Sequence, residues 1–531
     1  MRYILTAGEA GAADRAASGS GLPPMVLMER AALSVVECMD RENIPTDRVL
    51  VVAGTGNNGG DGIAIARLLF ERGERPLILL SGSREKMSGQ TRNQMEILSL
   101  YHPVFTDHIP EDRTVIVDAL FGTGLHRPIE GERAALVDAI NRSRAYKIAV
   151  DIPSGIHSDT GKVCGTAVRA DMTVTFSFAK RGHYFYPGSL FSGVLKIMPI
   201  GITPVHACAC GAKTVSINQE DLKCLPVRDE SGNKGTFGKV LVIAGSRDIF
   251  GAAFLAAKAA LKTGVGMVKV FTDENNRVSL AASLPEALMS FYRESEPESA
   301  VLSRLSSDLD WADTVLVGPG IGKSRTAQAI LLYLLQNWRK NLVMDADALN
   351  LMAGHRGMWH FPDTGRVIIT PHIMEMSRLC GFSAEKIKED PAGTAAAFAS
   401  EHRVVCVLKD ATTVTASPDG RVFLNTSGNS ALATAGSGDV LSGIAAGLFT
   451  WISRGQDASV RMESASEDDS AEMLPAESFL SFRRLCRENQ AAASAALAVY
   501  LHGLCGEKAA ESASRASVTA SEIIDFLHFF L

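Results

Sequence analysis

Residues 49–69 read VLVVAGTGNNGGDGIAIARLL: an apolar, β-branched run, then a glycine-rich loop, then apolar residues at helical spacing. This order predicts a strand, an anion- or nucleotide-binding loop and a helix. Three more apolar strands are predicted in the same half of the chain, over 76–80, 114–118 and 147–151. Since the carboxyl ends of parallel strands meet at one edge of a sheet, Asp118 and Asp151, which close the last two strands, are expected near this loop.

The second half of the chain repeats the alternation of strands and helices. Residues 239–244 predict a strand that ends at Gly245, and residues 252–261 predict the helix that follows. Later apolar strands lead into the loops Gly318-Pro319-Gly320-Ile321-Gly322, Asp345-Ala346-Asp347, Thr370-Pro371-His372 and Lys409-Asp410. Such loops converge on one sheet edge of a second α/β domain. The predicted architecture is α/β, with two doubly wound, three-layer domains over 1–213 and 214–531.

The composition argues against several classes of protein. With 531 residues, a net charge of −6 and 46% hydrophobic residues, the chain suits a soluble, cytoplasmic protein of two or more domains. The mildly acidic charge predicts no nucleic-acid partner, and no apolar run approaches the roughly 18 residues of a membrane span. Nine cysteines without metal-ligand spacing favour reduced thiols over a zinc site. Residues 455–477, rich in Ser, Asp and Glu, predict a solvated, mobile insertion between two helices.

A second glycine-rich motif indicates phosphoryl chemistry. Ala435-Gly436-Ser437-Gly438-Asp439 opens an apolar run that predicts a buried helix. Bare N–H groups at a helix N-terminus bind an anion. The carboxylate of Asp439 can take a proton from a hydroxyl that attacks a phosphoryl group. The chain is therefore predicted to carry two anion- or nucleotide-binding sites, one in each domain.

At least eight motifs follow the order of two known families. In the first half they are Met25–Ala31, Asn57–Gly62, Asp118–Leu125 and Asp151–Ile156. In the second half they are Lys234–Gly238, Gly318–Gly322, Asp345–Leu349, Thr370–Glu375, Leu408–Thr413 and Asn429–Asp439. On these motifs, residues 1–213 resemble NAD(P)H-hydrate epimerases. Residues 214–531 resemble ADP/ATP-dependent NAD(P)H-hydrate dehydratases, and the fused chain resembles the bifunctional nicotinamide nucleotide repair family.

For the first domain, the resemblance implies a Rossmann-like fold that interconverts the R and S epimers of hydrated NADH and NADPH (NADHX and NADPHX). The implied substrate-binding residues are Asn57, Asn58, Gly59, Gly60, Asp61, Gly122, Thr123, Gly124, Leu125 and Asp151. The implied ligands of a potassium ion are Asn58, Asp118 and Ser154, whose oxygens suit a hard cation. Carbon 6 of the hydrated ring can invert by losing and regaining hydroxide, which needs a group that gives and takes a proton. Asp151 is either that catalytic group or a residue that only orders the loop or the ion site.

For the second domain, the resemblance implies a ribokinase-like fold that dehydrates the S epimer at the expense of ADP or ATP, with Mg²⁺. ADP would yield AMP and phosphate. The implied residues that contact the hydrate are Ala252, Gly320, Gly322, His372 and Asp439. The implied nucleotide-binding residues are Lys409, Asp410, Ala411, Thr412, Thr413, Gly436, Ser437 and Gly438. Asp439 is the expected catalytic base, and the N–H groups around Gly436 and Gly438 would stabilise the transferring phosphoryl group.

Three positions depart from the family pattern. Met374, Asp410 and Ala431 stand where family members commonly have glycine. A Cβ at such a position can block close backbone approach or disfavour a positive φ. These departures bear on the affinity for the phosphoryl donor more than on the reaction.

Other interpretations of the motifs stay open. The second domain can be a ribokinase-superfamily kinase that phosphorylates a small molecule and stops there. The first can be a non-catalytic ligand-binding or dimerisation domain. Residues 180–184, Lys-Arg-Gly-His-Tyr, form either a basic lip for phosphates or an exposed turn, and Asp345 and Asp347 can simply cap a helix. The family commonly forms homo-oligomers, and residues 25–39 suit a helical interface.

Overall fold

The computed structural model describes residues 1–355, 366–459 and 480–531, except for the side chains of 456–459. These residues form two compact units. The N-terminal unit is Tyr3–Ala212, and the C-terminal unit comprises Met1–Arg2 and the described residues from 213 onwards. Of the predicted insertion at 455–477, the first residues continue a helix to Ser459, and the rest lies outside the described residues. None of the described helices combines the length and the apolar character needed to cross a membrane.

The N-terminal unit is built on a parallel sheet. Its strands are β1 (Arg2–Leu5), β2 (Val49–Ala53), β3 (Leu77–Leu80), β4 (Val104–Phe105), β5 (Val115–Ala119), β6 (Tyr146–Val150), β7 (Met172–Phe176), β8 (Ala179–Lys180) and β9 (Val194–Met198). Its α-helices are α1 (Ala7–Gly19), α2 (Pro24–Arg41), α3 (Asn57–Glu71), α4 (Gly89–Ser99), α5 (Glu132–Arg142) and α6 (Pro204–Ala209). Seven strands form one sheet in the order β4-β3-β2-β5-β6-β7-β9, and every pairing in it is parallel. β1 pairs with β8, also in parallel.

Helices cover both faces of this sheet. Along β2, Val49, Val51 and Ala53 pack in a core cluster with residues of α2, α3 and α4. Leu50 and Val52, which point to the other face, pack in a cluster with residues of α5. Burial on both faces explains why β2 is a continuous apolar run rather than an alternating one.

The C-terminal unit has a larger sheet. Its strands are β10 (Thr214–Ser216), β11 (Lys239–Ile243), β12 (Met267–Asp273), β13 (Leu288–Tyr292), β14 (Thr314–Val317), β15 (Asn341–Met344), β16 (Val367–Ile369), β17 (Val405–Leu408), β18 (Val414–Ala416) and β19 (Val422–Leu424). Its α-helices are α7 (Gly251–Lys262), α8 (Arg277–Ser283), α9 (Glu298–Trp311), α10 (Arg325–Asn337), α11 (Asp347–Ala353), α12 (Ile373–Cys380), α13 (Ala384–Glu389), α14 (Pro391–His402), α15 (Ser437–Ser459), α16 (Phe482–Glu488), α17 (Gln490–Ser512) and α18 (Ala520–Asp525).

The strand order in this unit is β13-β12-β11-β14-β15-β16-β17-β18-β19-β10. The strands from β13 to β17 pair in parallel, whereas β18 pairs antiparallel with β17 and with β19. Chain order reverses beside β2 in the first unit and beside β11 in the second, which is the pattern of doubly wound sheets. The prediction of an α/β fold with two such sheets is confirmed.

Helix α15 lies unusually close to α7. A Cβ placed at Gly443 would lie 2.2 Å from the Ala256 carbonyl oxygen, and one at Gly447 would lie 1.8 Å from Thr263 Oγ1. Only glycine permits this approach. The contact fixes the helix whose first turn carries Asp439.

Candidate active sites

A cavity of about 980 Å³ lies in the N-terminal unit, where β2, β5 and β6 end. Eight of the ten predicted substrate residues line it: Asn57, Asn58, Asp61, Gly122, Thr123, Gly124, Leu125 and Asp151. Gly59 and Gly60 are not among the lining residues, and both positions are closely packed. A Cβ at Gly59 would lie 1.9 Å from the Gly54 carbonyl oxygen, and one at Gly60 would meet Met28 and Thr91 within 3 Å.

The N-terminus of α3 faces the same region. Gly56 is its N-cap residue, and no side chain caps the helix. The first N–H groups of an α-helix have no partner within the helix and favour a bound anion. Because the loop residues Gly54 to Asn58 line the cavity, the cavity can accept a phosphate at this end.

Asp118 and Ser154 are hydrogen-bonded to each other, and the loop Phe121-Gly122 links them to Asn58, because the Phe121 N–H donates to Ser154 Oγ at 2.8 Å. The Ser154 backbone N–H and hydroxyl donate to the two oxygens of Asp118, at 2.8 and 2.6 Å. Burial raises the pKa of Asp118 to about 6, although these hydrogen bonds oppose the change. Both polar atoms of the Asn58 amide are buried and, among the described residues, have no hydrogen-bond partner. Gly122 packs against this amide, since a Cβ there would lie 3.3 Å from Asn58 Cγ.

These three residues fit a monovalent cation. A buried amide without a partner costs about 1–3 kcal/mol. An alkali ion bound by amide, hydroxyl and carboxylate oxygens would supply the missing partner for Asn58 Oδ1. The predicted ligands are therefore chemically suited to potassium.

Asp151 is held by a buried ion pair. It follows β6 with a φ of +66°, a conformation that side chains rarely adopt and that recurs at functional sites. Thr175 Oγ1 donates to Asp151 Oδ1 at 2.9 Å, and the Lys180 ammonium donates to the same oxygen. Burial would raise the pKa of Asp151, but Lys180, with His183 and Thr175, holds it below its ordinary value. Asp151 is therefore ionised at neutral pH.

The position of Lys180 settles one open interpretation. Lys180 and His183 are buried, and the His183 ring lies 3.0 Å from the Asp151 carbonyl oxygen. An exposed turn at residues 180–184 is therefore wrong. Lys180 lines the cavity, and its ammonium donates to Asp151.

In the C-terminal unit, charged side chains gather where β15 and β17 end. Lys409 Nζ lies 2.8 Å from Asp345 Oδ1. A Cβ at Gly438 would lie 3.4 Å from the same ammonium nitrogen, so Lys409 reaches the first turn of α15. Burial and the nearby Asp345 raise the pKa of Asp439 to about 6, and Lys409 opposes this. Asp345 is thus the ion-pair partner of Lys409, a predicted nucleotide-binding residue. The sequence did not indicate this role.

The N-terminus of α15 is fixed by two contacts. Gly436 has a φ of +85°, and a Cβ there would lie 2.4 Å from Leu255 Cδ1. Ser437 Oγ lies 3.1 Å from His502 Nε2, and burial lowers the pKa of His502 to about 4. A neutral, buried histidine therefore anchors the turn that presents Gly438 and Asp439.

His372 has a defined orientation. Its Nδ1 accepts hydrogen bonds from the N–H groups of Met374 and Glu375 at 3.0 and 3.3 Å, so the ring proton of the neutral form is on Nε2. Glu375 Oε2 accepts from the His372 N–H at 2.9 Å. Burial and the neighbouring Lys409 lower the pKa of His372, whereas burial raises that of Glu375 to about 7. The backbones of His372 and Lys409 form a parallel bridge, so the structure brings these two predicted residues together.

The remaining predicted residues fall into two groups. Gly320 packs on Ala252, since a Cβ at Gly320 would lie 3.0 Å from the Ala252 Cβ. The Gly322 N–H donates to Asp347 Oδ2 at 3.0 Å, so Asp347 orders this loop.

The predicted nucleotide-binding residues Asp410, Ala411, Thr412 and Thr413 form an exposed to half-buried turn between β17 and β18. None of the substituted positions Met374, Asp410 and Ala431 has a positive φ, so a side chain causes no φ strain there; blocked backbone approach to a ligand stays a prediction.

Known proteins resemble the chain over both units. Family models match as NAD(P)H-hydrate dehydratase over residues 240–528 and as YjeF-related protein N-terminus over residues 24–182. The bifunctional NAD(P)H-hydrate repair enzyme Nnr of Moorella thermoacetica is 35% identical, with 100% of this chain and 96% of that protein covered. The protein of the same name from Escherichia coli is 33% identical over 82% of each chain. A structure of the ADP/ATP-dependent NAD(P)H-hydrate dehydratase from Bacillus subtilis, co-crystallized with ATP/Mg²⁺, is 27% identical over 59% of this chain and 96% of that one, with a TM-score of 0.44.

Proposed function

Because the chain belongs to the family of bifunctional NAD(P)H-hydrate repair enzymes, we propose that it returns hydrated NADH and NADPH to NADH and NADPH in two steps. An epimerase domain, residues 1–213, interconverts the R and S epimers. A dehydratase domain, residues 214–531, consumes the S epimer at the expense of ADP, giving AMP and phosphate, or at the expense of ATP. The observation that carries the proposal is the 35% sequence identity to a bifunctional repair enzyme along the whole chain. In addition, each candidate site contains a carboxylate that can accept a proton, Asp151 in the first domain and Asp439 in the second.

In the epimerase, the cavity would hold the hydrated nucleotide. Its phosphates would lie at the uncapped N-terminus of α3 and against the loop Gly122–Leu125, which lines the cavity. Asp151 is kept ionised by Lys180. It would accept the proton that is released when the hydroxyl group on ring carbon 6 is exchanged. Asn58, Asp118 and Ser154 would hold potassium, which would supply a fixed positive charge beside the phosphates.

A potassium-dependent gain in stability is expected from these three residues. Potassium chloride, compared with tetramethylammonium chloride at equal ionic strength, should raise the free energy of unfolding by about 1–3 kcal/mol, the cost of the unpartnered Asn58 amide. Asn58→Ala should lose this increment. Thermal melts of the full chain in the two salts measure it. The exposed Asn93→Ala is the matched control, and an increment that survives in Asn58→Ala would contradict the assignment.

In the dehydratase, Asp439 would take the proton from the ring hydroxyl as its oxygen attacks the terminal phosphate of the nucleotide. The C–O bond then breaks with loss of phosphate, which leaves more readily than hydroxide, and the ring regains the reduced nicotinamide. Lys409 and the first N–H groups of α15 would stabilise the charge on the transferring phosphoryl group. Mg²⁺ would enter with the nucleotide and screen its phosphates. His372, whose Nε2 lies 3.4 Å from Glu375 Oε1, would contact the hydrate.

The dehydratase rate is expected to depend on the ionisation of Asp439. Its pKa is raised to about 6, and a general base must be deprotonated in the free enzyme. The kcat/KM for the S epimer should therefore fall about tenfold for each pH unit below this value and level off above it. Initial rates between pH 5 and pH 8, corrected for acid decay of the hydrate, measure the profile. A flat profile down to pH 5 would rule out Asp439 as the base.

One assay tests the proposed function as a whole. Absorbance at 340 nm is followed while the full chain acts on mixed NADHX epimers with ADP, with ATP or without nucleotide. Complete, nucleotide-dependent recovery of NADH supports both activities. Recovery that stops when one epimer is consumed contradicts the epimerase, and no recovery with either nucleotide contradicts the dehydratase.

A kinase that stops at a phosphorylated product is not favoured, because the relatives at 33% and 35% identity are named as repair enzymes over both domains. Isolation of a stable phosphorylated hydrate would reverse this preference. The proposal includes a cytoplasmic location and a homo-oligomer formed through residues 25–39 of α2. Val26 and Leu33 in this segment are 39% and 46% exposed, which supports such an interface.

A further inference from the structure

The cavity of the N-terminal unit holds more acidic groups than the proposed reaction has used. Asp14 of α1, Asp61 of α3 and Asp151 all line it, together with the ammonium of Lys180. Three carboxylates and one ammonium would carry a net charge of −2 if all were ionised. Like charges in one partly buried space do not all ionise, so the group retains a proton at neutral pH.

Burial raises the pKa of Asp14 as well, but Asp61 is the carboxyl most favoured to keep the proton. Burial, together with Asp151 and Asp14, raises the pKa of Asp61 well above its ordinary value, and Lys180 offsets this only in part. Asp151 is shifted the other way, because Lys180 contacts it directly. Asp61 lines the cavity, and none of the described side chains donates a hydrogen bond to its carboxyl group. Two carboxyl groups with opposite shifts in one site are the pattern of an acid and a base.

We propose that Asp61 is a second catalytic residue of the epimerase, the proton donor to the departing hydroxyl, while Asp151 is the proton acceptor. This rests on the proposed epimerase function. The C6–O bond breaks, its electron pair leaves on oxygen, and the Asp61 carboxyl protonates that oxygen, so that water departs. The lone pair of the ring nitrogen forms a C=N bond. Water then adds to the other face of carbon 6, and its proton passes to the Asp151 carboxylate.

The two residues exchange protonation states in each turnover. After conversion of R to S, Asp61 is ionised and Asp151 is protonated, which is the state required for the reverse conversion. One pair of carboxyl groups therefore serves both directions, as an epimerase requires. No oxidant or other co-reactant is consumed, because one water leaves and one water adds.

The test uses the full chain, purified R epimer and no nucleotide, so that the dehydratase is silent, with formation of the S epimer followed by chromatography. Asp61→Asn should lower kcat by about 10²–10⁴-fold with KM changed by less than about threefold. Asp61→Glu, which keeps the carboxyl, should recover at least about a tenth of the wild-type kcat. Asp107→Asn, whose side chain is 99% exposed, is the matched control and should behave as wild type.

The pH profile separates a catalytic from a structural role. Wild-type kcat/KM should fall at alkaline pH as Asp61 loses its proton. The groups that face Asp61 are Asp14, Asp151 and Lys180, and removing the Asp14 charge should lower the pKa of Asp61. Asp14→Asn should therefore move this alkaline fall to lower pH, whatever its effect on kcat at the optimum.

The outcomes are distinct. A wild-type chain that does not epimerise refutes the proposed function itself. If the wild type epimerises, a wild-type kcat in Asp61→Asn, or an effect of this substitution on KM alone, overturns the assignment of Asp61. The assignment is also overturned if Asp61→Glu is no more active than Asp61→Asn. It is overturned as well if the alkaline fall in kcat/KM lies at the same pH in Asp14→Asn as in the wild type. Chemical denaturation of each variant, followed by a probe in the N-terminal unit, shows whether the unit that carries Asp61 is folded.

Discussion

Replacing Asp439 by asparagine is expected to lower the dehydratase kcat by about 10²–10⁴-fold, the usual contribution of a general base, while epimerisation by the same chain is unchanged. Asparagine keeps the size of the side chain but cannot accept the proton of the ring hydroxyl. Recovery of NADH from the S epimer, with ADP or ATP, measures the loss. Formation of S from R epimer, without nucleotide, measures the activity that should remain.

Stability gives this prediction a second readout. The folded-state pKa of Asp439 is raised from 3.8 to about 6, so the ionised carboxylate costs folding free energy at neutral pH, and this cost disappears as the pH falls below the unfolded value. Asp439→Asn should therefore be at least as stable as wild type at pH 7, and its advantage should vanish near pH 4. A variant that loses activity because it unfolds would show the opposite.

The exposed Asp310→Asn on α9 is the matched control for both measurements. It makes the same chemical change away from the site, so activity and stability should stay at wild-type levels. Wild-type dehydratase kcat in Asp439→Asn, or a loss found only in KM, would contradict the role of Asp439 as the base.

Much of the fold follows from local pattern. The apolar runs at 76–80, 114–118 and 147–151 form β3, β5 and β6 within one residue of the predicted bounds, because a strand buried on both faces has a continuous apolar sequence. The placement of Asp151 at the cavity follows from the same rule, since parallel strands end at one edge. These inferences need only periodicity and topology.

The partners of the site residues could not be predicted in this way. Lys180 lies 29 residues from Asp151, Asp345 lies 64 residues from Lys409, and His502 lies 65 residues from Ser437. No spacing rule connects such pairs, because packing between distant elements brings them together. The close packing at Gly59 and Gly60 was also not predicted: a Cβ at Gly59 would meet the Gly54 backbone, and one at Gly60 would meet the side chains of Met28 and Thr91.

The Asp151–Lys180 ion pair leads to the other large expected effect. Asp151→Asn should abolish detectable epimerisation and lower the free energy of unfolding of the N-terminal unit by about 3–5 kcal/mol, the cost of leaving one partner of a buried pair uncompensated. The Lys180 side chain is only 5% exposed, so its ammonium cannot regain full hydration in place. Chemical denaturation of the full chain, followed by a probe in each unit, measures the change.

The double variant Asp151→Asn/Lys180→Met separates catalysis from folding. Replacing a buried ion pair by uncharged groups of similar volume is often neutral or stabilising, so the double variant should recover most of the stability lost in Asp151→Asn. It should recover no epimerisation, because the proton acceptor is still absent. Dehydratase activity should persist in both variants, since Asp439 and its neighbours belong to the other unit. If the double variant regained epimerisation with stability, Asp151 would be a structural residue that only orders the loop.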